Sequence, residues 1–275
     1  MTTIEPHTAI EPILDHYGLP VQELLALLHQ GFVPRYAFAT GSFVERRAGP
    51  TSDLDVRVVC CPSSEHPAND RSFRREDLVW CGSTVMTAIA GRAVHVVFWP
   101  EDAIDSIRRK ITETVLDSES HLPVFTAEQI EFLEEIQVAV PVIGVDGFAA
   151  FRDSLDLDRF RSIYAEHLMA AYDQACGETQ GPLLTDNVEL AAVRSRRAVE
   201  AAVDCYLFAN GRRVRKEKWR LRELLSVHDR DDQLVVDFLE HTLGGFADRS
   251  SDESLRRQVE DRLSWCNDLL LTLQA

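Results

Sequence analysis

The sequence predicts an α+β chain. An N-terminal mixed β-sheet with flanking helices spans residues 1–122, and an all-α helical bundle fills residues 123–275. Three observations predict this. Short apolar and β-branched runs (Tyr36–Ala39, Val56–Val59, Thr84–Ala90 and Arg92–Trp99) all precede residue 100. From Asp156 onward, apolar residues recur at spacings of three and four, which is helical periodicity. Between the first two runs stands Gly41-Ser42, then ten residues, then Asp53-Leu54-Asp55-Val56.

In chain order, residues 1–8 read as frayed. Ile10–Tyr17 and Pro20–His29 are two short helices. Leu24, Leu25, Leu27 and Leu28 give the second a broad apolar face; Pro20 starts it and Gly31 ends it. Tyr36–Ala39 is the first strand, Ser42–Arg47 a short helix, and Val56–Val59 the second strand. Pro62–Arg75 is polar and reads as a loop near the mouth of the site, while Glu76–Cys81 fits a short strand or a helix. Thr84–Ala90 and Arg92–Trp99 pair as a hairpin turning at Ala90-Gly91. Pro100-Glu101-Asp102 starts a helix with acids in its first turn, and Thr126–Gln129 opens another with capping chemistry. Two glycines and a proline mark Pro141–Gly147 as a hinge. Helices follow at Asp156–Ala175, Asn187–Ala209, Glu217–His228, Asp231–Leu243 and Asp252–Leu273.

Asp53 and Asp55 are two apart on the second strand, so both carboxylates share a face. Side by side they repel unless a cation sits between them. Hard oxygen donors at this spacing suit Mg²⁺, which completes its shell with water and substrate phosphates. Gly41 allows close backbone approach after the first strand, and free N–H groups there can face a phosphate. Together these parts describe a site for a metal-bound nucleoside triphosphate. They also resemble the signature of the nucleotidyltransferase superfamily, the polymerase-β-like fold. Arg46–Ser52 is similar to the small antibiotic and minimal nucleotidyltransferases of bacteria, in which a Ser often precedes the first Asp. The resemblance implies transfer of a nucleoside monophosphate to a small-molecule acceptor with release of pyrophosphate, and ATP is the expected donor. Asp53 and Asp55 would hold Mg²⁺, Gly41 and Ser42 the β- and γ-phosphates, and Ser52 would support the triphosphate or orient its loop.

The resemblance also implies a third acid on a later strand, and Arg92–Trp99 has none. His95 stands in its place. A neutral imidazole can ligate a metal, and a pKa of about 6.5 suits it to take a proton from an acceptor. Three alternatives stay open. Glu101 or Asp102 supplies the base, His95 is an ordinary core histidine, or the chain binds a nucleotide or a protein partner without chemistry.

In the helical part, Arg212–Lys218 is a basic run within an acidic chain. By the resemblance, the Lys before the Trp faces the nucleotide cleft, which makes Lys218 a nucleotide-binding candidate. Arg194, Arg196 and Arg197 form a second basic group, read mainly as a solvated face pairing with nearby acids. Arg222 and His228 match the Arg-x4–6-His spacing of helical RNases that partner minimal nucleotidyltransferases. Arg161 and His167 match it too, so the spacing is read as chance.

Lys plus Arg total 29 against 45 Asp plus Glu, a net charge of −16, which argues against a nucleic-acid track. No apolar run approaches the roughly 18 residues of a membrane span. The six cysteines are scattered without a CxxC pair, the pattern of reduced residues in a cytoplasmic protein. A homodimer is among the assemblies left open.

Overall fold

A computed structural model describes residues 9–29, 34–49, 51–60, 83–116, 125–212, 219–244 and 251–273. The expectations for Gly31, Pro62–Arg75, Glu76–Cys81 and Lys218 lie outside the described residues. Contacts divide the chain into two compact units, Met1–Phe160 and Arg161–Ala275. The division falls later than residue 122.

The first unit holds helices α1 (Glu11–His16), α2 (Val21–Leu28), α3 (Gly41–Val44), α4 (Glu101–Glu113), α5 (Ala127–Ile136) and α6 (Val145–Asp153). Its strands are β1 (Pro34–Thr40), β2 (Leu54–Cys60), β3 (Ser83–Ile89), β4 (Arg92–Pro100) and β5 (Val140–Ile143), in the sheet order β3-β4-β2-β1-β5. The sheet is mixed: β2 and β4 run parallel, and the other three pairs are antiparallel.

Side-chain alternation sorts the strands onto two layers. Ala37, Ala39, Leu54, Val56, Val58, Val94 and Val96 pack with Ile10, Leu14, Leu24, Leu25 and Leu28 from α1 and α2. On the other face, the Phe38 ring lies 5.9 Å from Phe132 of α5 and 5.3 Å from Phe148 of α6, and Trp99 lies 4.7 Å from Phe132. The central strand β2 is buried on both faces, which is why it reads as a continuous apolar run. Apart from the site residue Asp55, Arg57 is the exception on it. Its Nε donates to Glu135 of α5 at 2.7 Å, and Glu131 lies 3.9 Å from Nη2.

The β3–β4 hairpin turns at Ala90-Gly91, both with positive φ (49° and 79°), the two-residue turn that matches strand twist. Thr126 caps α5 with a reciprocal capping box to Gln129. The stretch from Pro141, expected as a hinge, instead supplies β5, which pairs with β1 through Ala37–Ala39. Four residues are too few to show alternation, and Pro141 is tolerated because the strand is an edge.

The second unit is helical. Helix α7 (Leu157–Leu184) enters it, and α8 (Val188–Ala209), α9 (Arg220–Leu224), α10 (Gln233–Leu243) and α11 (Asp252–Leu271) follow. The core gathers Ala198, Val199, Ala202 and Val203 of α8 with Val235 and Phe238 of α10 and Cys266 of α11. Buried Arg262 ties α11 to α8 by donating to the Ala192 carbonyl at 3.1 Å and to Ser195 Oγ at 3.0 Å. Among the described residues, no helix is long and apolar enough to cross a membrane.

Candidate functional site

The predicted acids sit on the α5–α6 face of the sheet, at the end where β1 leaves and β2 enters. In register, Thr40 of β1 faces Asp55 of β2, and Asp55 faces His95 of β4. Parallel pairing of β2 with β4 therefore places the histidine beside the second aspartate. His95 Nδ1 lies 3.1 Å from Asp55 Oδ1, with both side chains about a quarter exposed (28% and 23%). Asp53 stands just before β2, which begins at Leu54, so it is not itself a strand residue as expected. It converges all the same. Asp53, Asp55 and His95 each offer a ligand atom, and these atoms lie within 4.8 Å of one another.

Gly41 completes the end of β1. Its φ is +74°, and a Cβ built there would stand 2.5 Å from Asp55 Oδ2. The backbone thus passes directly over the carboxylate, an approach that only glycine permits. Ser52 closes the loop before Asp53: its Oγ accepts from the Gly49 N–H at 2.9 Å, and its own N–H donates to the Gly49 carbonyl at 3.2 Å. Arg92 adds a weaker tether, with Nη1 3.4 Å from the same carbonyl. Ser42 lies on α3, one residue past Gly41.

Burial pushes the Asp55 carboxyl above its ordinary range, and neighbouring Asp53 adds to the shift. The Arg57 guanidinium and the His95 hydrogen bond pull the other way. Two acids and an imidazole converging at a partly buried point are a donor set for a divalent cation. Its charge would relieve both the repulsion and the burial cost.

Within the first unit, Glu101 and Asp102 are not brought to this point. Glu101 lies six residues beyond His95, about 20 Å along the strand at about 3.3 Å per residue, and Asp102 follows it. Glu101 instead accepts from Arg35 at 2.8 Å, beside a cavity of about 330 Å³ at the opposite end of the sheet. Neither acid can serve as base at Asp53 and Asp55. Arg194 pairs with Glu178 at 2.5 Å and Arg197 lies 4.0 Å from the same acid, the solvated-face pairing expected of them. His228 bonds to Tyr206 and Asp232, while Arg222 lies over the Trp219 ring. Sequence reasoning missed Arg57. Its signal was a lone charge inside the run Val56–Val59 of a strand buried on both faces.

No protein-family model matches the chain, and no curated protein does. Among solved structures, the chain is similar to a nucleotidyltransferase-like protein from Exiguobacterium sibiricum 255-15. The match has 11% identity and a TM-score of 0.46, and it covers 97% of this chain and 74% of that one. Likeness of this degree transfers neither residue roles nor activity.

Proposed function

We propose that this chain is a magnesium-dependent nucleotidyltransferase. It moves a nucleoside monophosphate, with ATP as the first donor to try, onto an acceptor and releases pyrophosphate. The observation that carries this is the convergence of Asp53, Asp55 and His95 within 4.8 Å, beneath the backbone of Gly41. Its two carboxylates are the hard, anionic oxygen donors that Mg²⁺ takes.

Asp53 and Asp55 would hold the ion through carboxylate oxygens. When bound, it would neutralise phosphate charge and polarise the α-phosphate. Gly41 and Ser42 present backbone N–H groups, and Ser42 a hydroxyl, to the outer phosphates. Ser52 fixes the turn that delivers Asp53. His95 uses Nδ1 on Asp55, which leaves Nε2 to take the acceptor's proton or to ligate. Lys218 is proposed to neutralise triphosphate charge. Positioning and charge neutralisation supply most of the rate, as in other phosphoryl transfers.

A second reading has a specific observation behind it. His95 replaces the expected third acid and engages an oxygen of Asp55, which fits a protein that binds a nucleotide or partner without transfer. A thermal-shift panel of ATP, GTP, CTP and UTP, each with and without Mg²⁺, tests the main proposal. A triphosphate at about one hundred times its Kd raises stability by about 2.7 kcal/mol. The expected result is a magnesium-dependent rise that Asp53→Ala removes. Absence of any rise with all four nucleotides sinks the transfer reading.

A further inference from the structure

The end of the sheet away from the acids borders the cavity of about 330 Å³, whose lining belongs wholly to the first unit. The sheet contributes Tyr36 of β1 and Val59 of β2. Helix α4 contributes Glu101, Asp105 and Arg108, whose spacings of four and three put them on one face. Phe151 of α6 and Ser154 just past it complete the charged and aromatic lining. In register, Tyr36 pairs with Val59 and Thr40 with Asp55. Four strand positions, about 13 Å, therefore separate this cavity from the acids.

The charged groups come in pairs and are held in place. Arg35 Nη1 donates to Glu101 Oε1 at 2.8 Å. One turn along α4, Arg108 Nη1 donates to Asp105 at 2.6 Å, while its Nη2 and Nε donate to Ser154 Oγ at 2.9 and 3.2 Å. The Tyr36 and Phe151 rings stack with centroids 4.5 Å apart and 16° between their planes. The Arg35 guanidinium lies over Tyr36 at 5.5 Å, and that of Arg108 over Phe151 at 5.6 Å. The chain clears space for this stack. A Cβ on Gly144, whose φ is +73°, would stand 2.7 Å from Tyr36 Cδ1, and one on Gly147 would stand 3.3 Å from Tyr36 Cε1 and Oη. Ion pairs that only fastened α4 to the sheet would cover closed packing. These two border an open space.

Two guanidiniums against two carboxylates leave the lining with no net formal charge. A plain anion approaching Arg35 meets Glu101, and a plain cation approaching Glu101 meets Arg35. A small zwitterion satisfies both. Arg35 keeps further N–H donors for a carboxylate once Nη1 is engaged. Among the described residues, Glu101 Oε2 makes no hydrogen bond, which leaves it to accept from an ammonium. Val59, Ile104 and the stacked rings offer contact to an apolar body. The volume lies at the small end of ligand pockets, which run from about 300 to 1,000 Å³. We propose that this cavity binds a small apolar α-amino acid, with its carboxylate on Arg35, its ammonium on Glu101 and its side chain against Val59, Ile104 and the ring stack. The site is separate from the acids and does not depend on the transferase reading.

The test is isothermal titration calorimetry on the full-length protein, with L-leucine and L-phenylalanine as probes. Hydrocinnamate lacks the ammonium of L-phenylalanine, phenethylamine lacks its carboxylate, and glycine lacks its apolar body. One site per chain is expected for at least one of the two amino acids. Each control should bind at least about tenfold more weakly, the loss expected when a charged hydrogen bond goes unmade. Arg35→Gln and Glu101→Gln should weaken binding by a similar factor and leave the urea melt close to wild type. Arg152→Gln, on α6 but outside the lining, should change neither. The comparison of ligands on the wild type stands even where a variant fails to fold. Absence of binding by both amino acids overturns the proposal. So does hydrocinnamate or phenethylamine binding as tightly as L-phenylalanine, which would make the cavity a site for a single charge. Binding that survives both substitutions places the ligand elsewhere and overturns it too. The magnesium-dependent shift at Asp53 and Asp55 is a separate readout that none of these results moves.

Discussion

Two histidine–carboxylate pairs of nearly equal length teach how context divides chemistry. In the sheet, His95 lies 3.1 Å from Asp55; among the helices, His228 lies 3.0 Å from Asp232. The carboxyls nevertheless shift in opposite directions. Asp55 is raised, chiefly by burial and then by the charge of Asp53. Asp232 is lowered, chiefly by the Leu234 N–H at the start of a helix and then by its histidine. A buried acid with a second acid beside it is a group in need of a cation. An exposed acid on a helix N-terminus is already satisfied, and can spend its charge on orienting an imidazole.

The largest expected effect comes from forcing the first pair apart. Gly41→Ala should lower stability by about 1–2 kcal/mol for the left-handed backbone, plus the cost of a methyl against Asp55. Gly91 is the control: its φ is +79°, and a Cβ there meets nothing within 4 Å. Gly91→Ala should carry the backbone cost alone and keep any magnesium-dependent thermal shift, whereas Gly41→Ala should lose it. Equal losses in urea melts of the two variants would remove the close approach to Asp55 from the account.

A smaller effect follows from the raised Asp55. A carboxyl whose folded pKa exceeds its unfolded value penalises the native state above the folded value; the penalty fades as pH falls through it. Asp55→Asn should therefore raise Tm at neutral pH without divalent cations, and the gain should shrink toward acid. A lower Tm at neutral pH would mean that Arg57 and His95 outweigh burial. The smallest effect belongs to the other pair. A lowered carboxyl stabilises the native state above its unfolded pKa, and the contribution is lost as pH falls through the folded value. Asp232→Asn keeps a good cap residue, so its Tm should drop slightly at pH 7 and meet the wild type in acid. A large drop would show that the charge carries more than orientation.

Local chemistry was legible in the sequence, and long-range pairing was not. The hairpin at Ala90-Gly91, the capping box at Thr126 and the helices from Asn187 onward each rest on signals within a few residues. Asp53 and Asp55 were visible for the same reason. Strand β5 escaped because its evidence is its partner β1, about a hundred residues earlier. Glu101 stayed a contender for His95's role until the register of β2 on β4 fixed which end of the strand holds the acids. Arg57 looked like a flaw in an apolar run, since its partners Glu131 and Glu135 lie on a distant helix.

The short strand β5 also limits growth of the sheet. A long bare edge offers a row of N–H and C=O groups on which another chain can add as a further strand. Here that edge is four residues long, and its second position is Pro141, which has no N–H to give. The sheet turns away at once through Gly144 into α6. A passing strand finds little there to hold, so the proline that reads as a hinge in the sequence works in the fold as a guard against edge-to-edge aggregation.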